Sequence, residues 1–246
     1  MNRRDAETQS LEQLATSRLL SAPPRLCGEN PWLLWQLADS AFPTGGFAHS
    51  AGLEAAWQHG EVRNRGELLS YIEASLHQLG RAAMPFVSTA HAEPQRLEEL
   101  DHLCDAFTSN HVANRASRAQ GRALLSAVER IFKSQIADLK AEAKPPPFAH
   151  LAPVFGASLR WLEVPLETTL RLFVFNHLRS LIASAVRLNI VGPMEAQSLQ
   201  HHFSSPAEEL SERSIHLTLD NLTQTAPLLD LWQGAQDRLY SRLFQS

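Results

Sequence analysis

The sequence predicts an all-α fold, a single-domain helical bundle of roughly ten helices. Three observations predict it. Apolar residues recur at three-to-four spacing along most of the chain, the period of one helix face. Alternating strand patterns are scarce, and "IHLTLD" (215–220), the only short candidate, reads as a helix end and loop. Proline and glycine fall where helices start and stop, as at Asn30-Pro31, Pro43, Pro165, Gly192-Pro193 and Pro227.

Residues 1–28 are polar and end in the breaker cluster "SAPPRLCG", so they read as a disordered leader before a helical domain at 29–246. Asn30 suits an N-cap and Pro31 the first helical position, which starts a helix over "WLLWQLADSAF" that stops before Pro43. A second helix is expected over Ser50–His59. Asn64 caps a third, with Leu68, Leu69, Ile72, Leu76 and Leu79 on one face. Met84–Glu93, Leu97–Asn110 and His111–Leu139 continue the helical pattern. Ala113, Ala116, Ala119 and Ala123 form a small-residue stripe where another helix can approach.

Lys144 and Pro145–Pro147 make a stiff exposed link. Phe155–Trp161 is a short helix. The clearest pattern is Leu166–Ile190. Leu166, Leu170, Phe173, His177, Leu181, Ala185 and Leu188 share one side, and Leu172, Phe175, Ile182 and Val186 the other. A helix apolar nearly all round belongs in the middle of a core. Pro193 starts the next, Ser205 and Glu208 have capping-box spacing, and Pro227 opens a last helix through "LLDLWQGAQDRLYSRLF".

The formal net charge of −4 over 246 residues argues against a generic nucleic-acid binder. Cys27 and Cys104 lack metal-type spacing, and two scattered thiols suit a reducing compartment. The first residues are too polar for a secretory signal, and no apolar run approaches the ~18 residues of a membrane span. A cytoplasmic protein without membrane segments is expected.

The densest local signal is "FPTGGFAHSAGLEAAW" (42–57). It lacks the Lys-Ser/Thr and preceding strand of a phosphate loop, and the flanks of Ser50 do not match G-x-S-x-G. What remains is a left-handed corner joining two helices with Phe47 buried, or a corner that is also a binding surface. His201-His202 is the only adjacent histidine pair, and no metal-binding motif occurs, so no fixed metal site is expected. Arg115, Arg118 and Arg122 lie on one side of a helix, as a solvated face or a partner contact. Arg171, Arg179 and Arg187 recur every eight residues on the apolar helix and call for partners such as Glu163, Glu167 or Glu195. Asp39, Glu54, Asp101 and Asp105 are dispersed with no dyad, so no catalytic residues are assigned. Two alternatives stay open beside a scaffold role: an enzyme drawing on His49, Glu54 and His177, and a generic helical interaction protein.

Four blocks in order carry a resemblance. They are "LLWQLADSAFPTGGFAHSAGLEAA" (33–56), "NRASRAQGRALL" (114–125), "HLRSLIASAVRLNIVGPMEAQSLQH" (177–201) and "APLLDLWQGAQDRLYSRLFQS" (226–246). Together they resemble the urease accessory protein UreF family. Ala48-His49 stands where many bacterial members carry Ser-Tyr, and Glu195-Ala196-Gln197 where many have Gly-Gln, a spelling similar to the eukaryotic-type branch. The resemblance implies an all-α homodimer that is not an enzyme and binds no cofactor firmly. It implies bridging between a UreD/UreH-type scaffold and the GTPase UreG on apo-urease, with the assembly handling nickel and GTP hydrolysis coupled to its release. Carried onto this chain, Gly45, Gly46, Phe47, His49 and Ser50 belong to the functional surface. Arg115 and Arg118, with Gly121, support the core or a partner contact. Arg179 and Arg187 lie near the dimer or GTPase-facing surface. Arg242, Leu243 and Phe244 dock on the scaffold partner, which fits an apolar segment that something must cover. Gly45 and Gly46 then set the turn, and Phe47, His49 and Ser50 face the partner.

Overall fold

The computed structural model describes residues 30–246; the leader expected at 1–28 lies outside the described residues. The described residues form twelve α-helices with four short 3-10 turns and contain no strand. In order they are α1 (Pro31–Ala38), α2 (Leu53–Gln58), α3 (Arg65–Ala82), α4 (Met84–Ala92), α5 (Leu97–Phe107) and α6 (His111–Ile131). Then follow α7 (Lys133–Lys140), α8 (Leu151–Trp161), α9 (Leu166–Arg187), α10 (Pro193–His202), α11 (Ser204–Ser214) and α12 (Pro227–Ala235). None of these helices is long and apolar enough to cross a membrane.

Local rules set several boundaries. Asn64 caps α3 by accepting the Glu67 N–H at 3.1 Å, and Leu68, Ile72, Leu76 and Leu79 are buried beneath it. The second helix starts late, at Leu53, because Ala51 and Gly52 take φ of 53° and 87° and hold the chain in the left-handed region. The long helix expected over 111–139 is split at Phe132, which leaves helical geometry at φ −112°, ψ 22°. The alanine stripe is not the contact face, since only Ala116 is buried. The close approach is instead at Gly121, where a Cβ would lie 2.0 Å from the Ala149 carbonyl oxygen.

That approach belongs to a clamp the sequence pattern does not reveal. Asp101 is fully buried and accepts N–H bonds from Phe148, Ala149 and His150 at 2.7–2.9 Å. It places a carboxylate at the amino end of α8, where free backbone donors and the helix dipole favour an anion. His150 is bonded to Asp105 at 3.0 Å through Nε2 and to Ser117 at 3.1 Å through Nδ1. Lys144, Pro145 and Pro147 are exposed as a link, whereas the residues just after it are pinned in the core.

α9 departs from the all-round apolar reading. Leu170, Val174, Leu178, Leu181 and Ala185 are buried, but Arg171, Phe175, Ala183 and Arg187 form an exposed stripe, with the half-buried Arg179 between Phe175 and Ala183. It stops at Arg187 because Asn189 takes a φ of 57°. The capping box at Ser205 does not form: α10 and α11 are separated only by Phe203, and α11 already begins at Ser204, which leaves Ser205 inside the helix. The last helix ends at Ala235 rather than running on, and Gln236–Arg238 turns the chain into an irregular tail, 239–246.

Candidate functional site

The corner between α1 and α2, the carboxyl end of α9 and the tail meet. Gly45, at φ 71°, turns the chain into the short 3-10 turn Gly46–Ala48. Phe47 at the tip of that turn is 74% exposed, which removes the buried-corner alternative and leaves the outward-facing one. The Arg187 guanidinium holds the Phe47 carbonyl. A Cβ at Gly46 would meet Gln120 Oε1 and Ser180 Oγ at 3.5 Å, an ordinary contact.

The tail lies along this corner. Gln245 N–H donates to the Ala48 carbonyl at 2.8 Å, and Ser50 N–H to the Ser246 carbonyl at 2.6 Å. Ser50 Oγ donates to the same carbonyl at 3.3 Å, and His49 Nδ1 is bonded to Ser246 Oγ at 2.5 Å. Ser50 is therefore buried by its own chain and does not face outward, which corrects its placement on a partner surface. Burial first, and the nearby Arg115 charge second, hold the His49 pKa below the usual histidine value.

Glu54 anchors the tail. It is 1% exposed on α2. Oε1 accepts the Leu243 N–H at 2.6 Å, while Oε2 accepts the Phe244 N–H at 3.1 Å and Gln236 Nε2–H at 2.6 Å. Three donors on one buried carboxylate satisfy the need that burial creates. Phe244 is 3% exposed, with the Arg187 guanidinium 4.2 Å above its ring. The expectation of an outward-docking Phe244 is thus corrected: its ring is spent inside the molecule. Leu243 beside it is 58% exposed, and Arg242 is exposed as well.

A second acid, Asp237 in the turn before the tail, ties that turn to α6. Asp237 accepts from Arg115 at 2.8 and 3.1 Å, from Arg242 at 3.3 Å and from His111 at 3.2 Å. Hydrogen bonding to Arg115 holds its carboxyl below the usual range. Arg179 donates to the Ala38 carbonyl and tethers α1 to α9. Arg118 sits with the clamp instead, 5.0 Å from the Phe148 ring. Arg171 pairs with Glu208 at 2.6 Å and more distantly with Glu167 at 3.8 Å, while Glu195 pairs with Arg65 at 3.3 Å.

Behind the corner lies a cavity of about 230 Å³ lined by residues that include Thr44, His49, Gln120, His177 and Ser180. Burial lowers the His177 pKa to about 4, and its Nε2 is bonded to Ser75 Oγ at 2.8 Å. Glu54 does not line this cavity, and its oxygens are taken by the tail. The His49–Glu54–His177 pocket of the enzyme reading therefore does not form. Among the described residues no group of three His, Cys, Asp or Glu side chains converges on a metal-sized site.

Glu54, Gln236 and Asp237 are the site residues that sequence reasoning missed in this role. The one local signal was an acid flanked by Leu53, Ala55 and Ala56, an anomaly on an apolar helix.

The family model for UreF matches residues 62–204, more than half of the chain. Urease accessory protein F of Oryza sativa subsp. indica is 40% identical over 220 residues, covering 87% of this chain and 84% of the relative. The protein of the same name from Arabidopsis thaliana is 38% identical over 222 residues, with 87% and 92% covered. Urease accessory protein UreF of the bacterium Granulibacter bethesdensis is 28% identical over 249 residues, with 98% of each chain covered. The plant proteins stand nearer than this bacterial one, as the Ala48-His49 spelling implied. Fold, ordered motifs and relatives agree on an accessory role rather than an enzymatic one: the chain belongs to the UreF family of urease accessory proteins.

Proposed function

We propose that this chain is a non-enzymatic scaffold in urease maturation that bridges a UreD/UreH-type protein and the GTPase UreG. In this reading it works as a cytoplasmic homodimer, and the assembly docks on apo-urease. Nickel is cargo of the assembly, passed on as UreG hydrolyses GTP. Membership in the family supports the urease role. The observation that carries the bridging role is the edge around Arg187. Its guanidinium reaches both the Phe47 and the Leu243 carbonyls, so two exposed apolar side chains stand beside one cation. Apolar side chains rimmed by Arg are the composition of a contact surface, not of a solvated one.

Co-purification tests it. The tagged chain is expected to bring down both the GTPase and the scaffold protein, and a strain lacking it is expected to lose urease activity. Urease that matures normally in a deletion strain without a paralogue sinks the reading. A generic helical interaction protein predicts the opposite outcome for Gly46→Arg: a folded chain and unaffected maturation.

A further inference from the structure

A second groove runs between α3 and α11, on the side of α11 turned away from the Arg171–Glu208 pair. Its volume is about 240 Å³. That exceeds the ~150 Å³ that suffices for benzene in an apolar cavity. The floor is apolar. Leu76 and Phe203 are 5% and 1% exposed, and Leu210 and Leu217 complete it. At Gly80 the two helices come so close that a Cβ would lie 2.5 Å from Leu210 Cδ1. The polar groups of the floor are already satisfied. Ser214 Oγ donates to the Leu210 carbonyl at 2.7 Å, and the Ser214 carbonyl accepts from Ser88 Oγ at 3.2 Å. Water finds little to bond there, so the floor suits an apolar chain.

The rim has the opposite character. His77 and Arg81 stand one turn apart on α3, line the groove and are exposed. Among the described residues neither side chain has a hydrogen-bond or ion-pair partner. Arg213 across the groove is taken by Glu209 at 2.8 Å, which leaves Arg81 as the uncompensated cation of the rim. Glu73 is the one acid lining the groove among the described residues. It lies eight residues from Arg81 along α3, about 12 Å away, at the other end of the groove. A groove with an apolar floor and a free guanidinium at one end has the polarity of an amphipathic monoanion.

We propose that this groove binds a free medium-chain carboxylate. The head is held by Arg81 and by the His77 ring N–H, and the chain lies over Leu76, Leu210 and Phe203. The ~12 Å between Arg81 and Glu73 matches an extended chain of about eight carbons with bonds near 1.5 Å. The same length seats only about three or four extended residues, so a free acid fits it better than a protein segment.

The test uses the full chain alone, so its outcome is independent of the urease reading. Backbone amide shifts are followed by NMR while hexanoate, octanoate, decanoate, dodecanoate or octanol is added. The shifts are expected to cluster at 76–81 and 210–217. Affinity is expected to rise about two- to fourfold per added methylene up to octanoate and then to level, because further carbons leave the groove. Octanol is expected to bind about tenfold more weakly than octanoate. Arg81→Gln, with its other amide shifts unchanged, is expected to lose about tenfold in affinity for octanoate and none for octanol. Lys133→Gln, at an exposed cation that does not line the groove, leaves binding as in the parent. Affinity that climbs to dodecanoate without levelling shows detergent-like adsorption and overturns the proposal. Octanol that binds as well as octanoate removes the charged head. An Arg81→Gln variant that holds octanoate like the parent removes Arg81 as the seat. Shifts confined to the cavity behind the corner place the acid elsewhere and overturn the groove as its site.

Discussion

Two buried carboxylates in this molecule do the same chemistry to different ends. Asp101 accepts three backbone N–H groups from 148–150, and Glu54 accepts two from 243–244 together with the Gln236 amide. The donors of Asp101 lie in a segment held on both sides, by α5 and by Ser117 of α6, and continue straight into α8. The donors of Glu54 lie in a tail with one face in solvent. The first arrangement builds the fold. The second holds a segment that also presents Leu243 and Arg242 outward. The difference is in what the rest of the segment does once the acid lets go.

The largest effect tests the first arrangement. Asp101→Ala strands three backbone donors, those of Ala149 and His150 buried, and a global loss of about 3 kcal/mol or more is expected. Urea unfolding with an unchanged slope measures it. If Glu54→Gln lowers global stability by as much, the tail is as integral as the clamp and the contrast fails. A loss of only about 1 kcal/mol there keeps the contrast, because the freed tail rehydrates.

Acid separates the two regions in a second way. His177 on the cavity wall has a folded pKa of about 4, below its unfolded value, because burial disfavours the charged ring. The unfolded chain therefore binds more protons between about pH 6.5 and pH 4. The contribution is complete above that window, is lost as pH falls through it, and is flat below it. The loss reaches about 3 kcal/mol by pH 4. His177→Gln, which keeps a donor for Ser75, is expected to flatten this slope. Exchange monitored residue by residue is expected to show α3 and α9 around Ser75 loosening before the amides of 148–150. The reverse order removes His177 as the acid-sensitive point.

Gly46→Arg has a smaller effect on stability and a large one on assembly. Its Cβ finds only ordinary contacts, and Gly46 does not sit at positive φ, so the fold is expected to lose about 1 kcal/mol or less. The added guanidinium enters the cavity mouth beside Arg179 and Arg187, and co-purification with the partners is expected to fail. A variant that is folded, assembles and matures urease leaves this stretch a corner and nothing more.

How much of this was legible follows from range. The Asn64 cap and the buried face of α3 are local patterns, and they read correctly from residues three and four apart. So do the inner face of α9 and the all-α class. The tail seat is not local. Leu243 finds its acceptor 189 positions away, and no periodicity connects an acid on α2 to an amide near residue 243. Phe47 and Phe244 show the consequence. Phe47 reads either as a buried corner or as a partner-facing one, and Phe244 reads as outward although its ring is buried. Arg187 decides between them, by taking the carbonyl of one and the ring of the other. Asp101 was equally hidden, since its three donors lie beyond a proline link.

The smallest expected effect lies where the tail meets α6. Arg115 and Asp237 make a bidentate pair, but Arg115 is half exposed and the pair is screened by solvent. Arg115→Ala does not strand Asp237, which keeps Arg242 and His111. A loss of about 0.5 kcal/mol is expected at low salt, fading as salt rises toward about 0.5 M. Adding Arg242→Ala removes the second guanidinium, and the two losses are expected to exceed their sum, since each arginine covers for the other. Strict additivity means that Asp237 is solvated rather than shared between the two arginines.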